Sequence, residues 1–164
     1  MNIFVLDKDP AEAAIMMCDK HLPKMIVETA QLLSTAHRLL NSDISENVYK
    51  STHIHHPCTK WVIESDQNYK WLYYHFVALG HEFRYRRNKI HATITKLAGT
   101  LAQVPVNIPY RKRTEFVQAM KQYPECMVEG DPVQAYRNYY LAAKPFAKWE
   151  WGREAPSWWT NAKN

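Results

Sequence analysis

The stretch "NYKWLYYHFVALGHEFRYRRNKIHATITKLAG", Asn68 to Gly99, decides the fold. Within it Tyr69, Leu72, Phe76, Leu79, Phe83, Ile90, Ile94 and Leu97 recur at the three- and four-residue steps that align side chains along one face of an α-helix. The pattern opens upstream at Pro57, a residue suited to a first helical turn, and Gly80 marks a point where the helix can kink or split. So long an apolar stripe must be covered by other elements, and the rest of the chain offers mainly helices to cover it.

Upstream, Leu22, Ile26, Ala30, Leu33, Ala36 and Leu40 form a second stripe, predicting a helix from Pro23 to about Leu40. Asp9, Pro10 and Glu12 combine a cap, a first-turn proline and a capping-box acid, which predicts a short helix over Pro10 to Lys20. Asp131, Pro132 and Gln134 repeat that start before "VQAYRNYYLAAK", and a further short helix is expected near Thr114 to Lys121. "NSDISENVYKS" reads as a polar loop and "GTLAQVPVNIPY" as an extended connection. Only "NIFVLD" reads as a strand, ended by Asp7. The tail "KWEWGREAPSWW" is too rich in Trp to stay unfolded and should pack back on the domain. With no internal repeat and no linker, the expectation is a mostly α, compact single domain over residues 1–164 with one short N-terminal strand.

Apolar residues make up 46% and charged residues 23%, the balance of a soluble globule. No window approaches a membrane span, and the N-terminus lacks a basic region followed by an apolar one, so a cytoplasmic place is expected. Cys18, Cys58 and Cys126 are odd in number and far apart, unlike a disulfide framework. The net charge of +5, with 13% aromatic residues, suits a nucleic-acid binder, because cations displace phosphate counterions while exposed bases stack on rings. A basic protein with an aromatic core would share that composition.

The second helix carries the residues best suited to chemistry. His21, Lys24, Glu28, Gln31, Thr35 and Arg38 follow at steps of three and four and share a face opposite the apolar one. A merely solvated stripe with Lys24 paired to Glu28 has this form too, but solvated faces are usually repeats of Lys and Glu. One acid, one imidazole and an amide suit proton transfer and polar recognition. His21, Lys24 and Glu28 are therefore the candidate reactive centre, with Gln31, Arg38, His56 and Asn68 as candidate substrate contacts. His56 stands where a cap belongs and could face substrate from a helix start, whose free N–H groups favour phosphate. Arg84, Arg86, Arg87, Lys89 and His91 form a candidate phosphate-binding ridge, with Arg111, Lys112 and Arg113 as a second contact. No cofactor is expected. A minority alternative is zinc, because Cys18-x-x-His21 and His55-x-x-Cys58 offer a tetrahedral set, although Cys18 lies in an apolar run where a buried thiol is the commoner state.

"VLDKDPAEAA", "CDKHLPKMIVETAQLLSTAHR", "HPCTKWVIES", "NYKWLYYH", "RYRRNKIH" and "KWEWGREAPSWW" together resemble a family of small phage proteins over nearly the whole chain. The chain also resembles, more distantly, the phage pyrimidine-dimer DNA glycosylases of the endonuclease V type. In that family a "DQH" stretch stands seven residues before a catalytic glutamate, as Asp19, Lys20 and His21 stand before Glu28. The aromatic C-terminus that touches DNA there has a counterpart in "YRNYYLAAKPFAKWEWG". The resemblance implies an endonuclease V-like helical architecture, double-stranded DNA with an extruded pyrimidine as partner, Glu28 as catalytic acid and His21 as its neighbour. The family's nucleophile is the amine of a small residue exposed by loss of the initiator Met. Here Asn2 is large enough that Met1 is expected to stay. Three functions follow: glycosylase-like action on a flipped base, transfer of an amino acid or amine onto an activated 5-hydroxymethylpyrimidine, or nucleic-acid binding without catalysis.

Overall fold

A computed structural model describes residues 1–164 as seven α-helices and two short 3-10 turns. Most helices start where a side chain satisfies N–H groups that the first turn leaves free. Asp9 accepts from Ala11 and Glu12 to open α1 (Pro10–Met16), and Ser65 accepts from Gln67 and Asn68 to open α4 (Asp66–Arg87). His56 and His91 use a ring nitrogen in the same way for α3 (Pro57–Glu64) and α5 (Ala92–Leu101), and Asp131 caps α6 (Pro132–Ala143). α2 (His21–Leu39) and α7 (Ser157–Lys163) begin without such a cap. Pro23 sits at the third residue of α2, where its missing N–H has no helical partner to lose.

α2 and α4 run antiparallel through the core. Asp19, just before α2, pairs with Arg86 near the end of α4, while His37 near the end of α2 meets Tyr69 near the start of α4. The pattern from Pro57 to Gly99 is three helices, not one. Extended Ser65 separates α3 from α4, and Asn88, left-handed at φ 53°, ends α4. Gly80 does not split α4, which runs through it unbroken. A Cβ there would lie 2.6 Å from Ile94 Cδ1, so the glycine is what lets α5 approach. The tail folds back: Asp19 accepts the Trp151 amide at 3.2 Å, Trp149 Nε1 donates to Met16 O, and Trp159 is buried.

Two expectations are corrected. The N-terminal segment is not a strand, because no other segment offers an edge for it to pair with and the whole fold is helical. Residues Ile3 to Leu6 are buried all the same, with Phe4 left-handed at φ 58° and Leu6 N–H turned back to Phe4 O. Side chains take over the work of a partner strand, as where Arg137 Nε donates to Leu6 O at 3.0 Å. No helix spans Thr114 to Lys121 either. Phe116 and Met120 pack into the core from an irregular chain whose groups bond to Tyr136 and Asn68. No helix is long and apolar enough to cross a membrane.

Candidate active site

The buried N-terminal segment places the start of the chain against α2. Asn2 pins it, donating from Nδ2 to Ala119 O at 2.8 Å and accepting the Ile3 N–H at 2.8 Å. The Met1 ammonium then lies 3.4 Å from Glu28 Oε1, beside a carboxylate side chain only 16% exposed. A cavity of about 180 Å³ opens at this pair, and His21, Lys24 and Lys144 also line it. Three of the sequence candidates, His21, Lys24 and Glu28, are thus brought together.

The charges in this cavity are unequal. Burial, followed by Lys144, Lys24 and Lys20, holds His21 down to about 4, so its ring is neutral at pH 7. Glu28 is then the one carboxylate facing the Met1 ammonium, Lys24 and Lys144. Burial and the nearby Lys24 pull Lys144 below its ordinary value. Such a site, with more cationic groups than carboxylates, favours an anionic group. His21 is fixed by Tyr140, whose hydroxyl lies 2.7 Å from Nδ1, and by Phe4, whose ring centroid is 4.9 Å away.

A second cavity of about 430 Å³ shares Met1, Ala119 and Tyr139 with the first and reaches His56 at the start of α3. Burial first, and then the Met1 ammonium, lowers the His56 pKa. Its Nδ1 accepts the Cys58 N–H at 3.0 Å, so His56 is a cap that also borders the site.

Other sequence candidates lie elsewhere. Gln31 is half-buried and outside the cavity lining. Arg38 spends its guanidinium on the carbonyls of Tyr49 and Val48, at 2.6 and 2.9 Å, and so ties down the 41–50 loop instead of facing substrate. Asn68 is fully buried, bonded to Trp61 O, Thr114 Oγ1 and Thr114 N–H, and cannot reach a ligand. Nor do Cys18, His21, His55 and Cys58 assemble a zinc site, since no three His, Cys, Asp or Glu side chains are placed to hold a metal. His55 is exposed, whereas Cys18 is buried and burial pushes the Cys58 thiol up to about 12.

The arginine ridge is also smaller than expected. Arg86 points inward, its side chain 0% exposed, donating to Glu82 at 2.9 Å, Asp19 at 3.0 Å and the carbonyls of Met17 and Ile15. Arg153, its side chain 32% exposed, joins Glu82 from the tail at 2.7 Å and so borders the buried Arg86, Glu82 and Asp19. His91 caps α5. Arg84, Arg87 and Lys89 remain exposed, with Arg87 over the Trp151 ring at 4.3 Å. At the other end of α4, 22 residues and therefore about 33 Å long, Arg111, Lys112 and Arg113 border an open groove of about 560 Å³ with the exposed Tyr110.

Residues 1–96 match the family model described as pyrimidine dimer DNA glycosylase. The chain belongs to that family. No curated protein and no solved structure matches it significantly. The matched region contains Met1, His21, Lys24 and Glu28, while beyond it Tyr139 and Lys144 line the cavity from α6 and its end and Tyr140 reaches His21 from α6. Sequence reasoning missed these last three because nothing local distinguishes them from other residues of a Tyr-rich helix. Membership of a DNA glycosylase family makes DNA the partner class.

Proposed function

We propose that the chain cleaves the bond between a pyrimidine base and its sugar in DNA, with the base extruded into the Met1–Glu28 cavity. The observation that carries this is the Met1 nitrogen 3.4 Å from Glu28 at the wall of a cavity in a member of this family. A neutral amine there can form a bond to the anomeric carbon while the base leaves with the bonding pair. Glu28 receives the proton that the amine gives up and passes it to the departing base. Lys24 and Lys144 hold a neighbouring phosphate, and the exposed Arg84, Arg87, Lys89, Arg111, Lys112 and Arg113 hold more of the backbone. An amine nucleophile at Met1 departs from the small-residue nucleophile of the endonuclease V type, but keeps the pairing of an amine with a glutamate.

The unequal charges support a second reading. Lys24 and Lys144 could hold the carboxylate of an amino acid whose amine displaces the leaving group from an activated 5-hydroxymethylpyrimidine. A C–N bond then forms, the activated hydroxyl leaves with its bonding pair, and Glu28 takes the proton from the amine. Incubation with dimer-containing DNA under borohydride, and separately with activated hydroxymethylated DNA plus amino acids, distinguishes the two by product mass. Excision yields a reduced adduct on Met1 once the sugar ring opens to an imine that borohydride traps, and transfer yields DNA in which the mass of the activated hydroxyl is replaced by that of the amino acid. Glu28→Gln should lower the observed activity by about 10²- to 10⁴-fold. Activity unaffected by that substitution refutes both, and salt-dependent binding with neither product leaves a non-enzymatic binder.

A further inference from the structure

The hydroxyl of Tyr140 is buried between α6 and the start of α2, where four groups meet it. It accepts the Cys18 N–H at 3.4 Å and has three possible acceptors for its own proton: His21 Nδ1 at 2.7 Å, Met17 Sδ at 3.1 Å and Cys18 Sγ at 3.6 Å. An imidazole nitrogen is a far stronger acceptor than a thioether or thiol sulfur, and it is also the nearest. The proton therefore goes to Nδ1. A neutral imidazole that accepts at Nδ1 carries its hydrogen on Nε2, and no protein group bonds His21 Nε2.

We infer that Tyr140 is a positioning residue, holding His21 in the tautomer that offers an Nε2–H donor to whatever occupies the Met1–Glu28 cavity. This rests on the cavity being the reactive centre. It divides the labour within it: His21 donates a hydrogen bond to the substrate, and Glu28 is left as the group that accepts a proton. The ring cannot swing to exchange its nitrogens, because it is 6% exposed and lies between Phe4, at 4.9 Å, Phe146, at 5.5 Å, and the Tyr140 ring, at 5.2 Å. The neutral ring this requires agrees with the burial and the three lysines that depress its protonation. The hydroxyl itself stays protonated, since burial raises the Tyr140 pKa well above its ordinary value.

Nitrogen-15 NMR of the imidazole in the intact protein, without DNA, reads the tautomer directly. The Nε2–H form is expected in the wild type, and an Nδ1–H signal for His21 overturns the proposal before any variant is made. Tyr140→Phe should give a mixture of both tautomers, and a pure Nε2–H signal in that variant overturns the role of the hydroxyl. In activity assays His21→Gln, whose amide reaches the Nε2 position, should stay within about tenfold of wild type. His21→Asn, which reaches only Nδ1, should lose about a hundredfold or more. Equal losses in the two variants overturn donation from Nε2. Adding Tyr140→Phe to His21→Gln should cost no further activity, because no imidazole remains to position, and a further tenfold loss overturns the proposal. If Glu28→Gln is fully active, the reactive-centre assignment fails whatever the tautomer, so the two failures are told apart.

Discussion

Replacing Arg86 by Met removes a buried cation while keeping most of its volume. Arg86 gives one hydrogen bond to Glu82, one to Asp19 and one to each of two main-chain carbonyls, with its side chain 0% exposed. After the change Glu82 keeps Arg153, at 2.7 Å, and Asp19 keeps the amides of Glu150 and Trp151, so neither carboxylate is wholly abandoned. Both nevertheless stay in a site of low polarity with one cation fewer, and the carbonyls of Met17 and Ile15 lose their donors. Breaking a buried pair from one side costs about 3–5 kcal/mol. With a urea slope near 2 kcal/mol per molar, the unfolding midpoint should fall by about 2 M. The DNA arm makes the test decisive. Under conditions where the variant is folded, its salt dependence of DNA binding should equal that of the wild type, because a buried guanidinium releases no counterion. Arg87→Ala, which removes an exposed cation, should reduce the slope by about one. Unchanged stability together with a slope reduced by one in Arg86→Met refutes the buried role and returns Arg86 to the phosphate ridge.

Gly80→Ala should destabilise the protein by about 1–3 kcal/mol in urea, because its Cβ meets Ile94 at 2.6 Å, and Ile94→Ala should recover part of that loss. Acid should weaken the fold. Burial holds the buried rings of His21, His37 and His75 near 4, below their unfolded value of 6.5, so the unfolded state binds more protons between these pH values. Their contribution is complete above about pH 6.5 and is lost as the pH falls toward 4, and urea midpoints at pH 7 and pH 5 that coincide contradict it. Asp19→Asn weakens the anchor of the tail, so limited proteolysis near residues 148–153 should precede global unfolding and be slower in the wild type. A chelator should leave the melting temperature unchanged, since Cys18, His21, His55 and Cys58 do not meet.

The mostly α class was legible in the stripes around Tyr69–Leu97 and Leu22–Leu40, because helical periodicity is a local property of the chain. The start signals at Asp9, His56 and Asp131 were equally local, since each cap reaches only two or three residues ahead. His21, Lys24 and Glu28 could be grouped for the same reason, as neighbours on one helix. Arg86 also carried a readable signal. It falls between Phe83 and Ile90 in the apolar stripe, three residues after Phe83, which places it on the side of α4 facing the core.

Tertiary structure decided the rest. "NIFVLD" is as apolar as a strand, but a strand exists only where another backbone accepts its hydrogen bonds, and no residue pattern within the segment reports that none does. Whether Met1 meets Glu28, and whether Tyr140 meets His21 across 119 positions of sequence, depends on how α6 and the N-terminal segment pack against α2. The sequence by itself determined which residues share a helix face, because that follows from 3.6 residues per turn. Which of those faces encloses a cavity, and which charged side chains turn inward, was set by long-range packing between segments whose local patterns do not refer to one another.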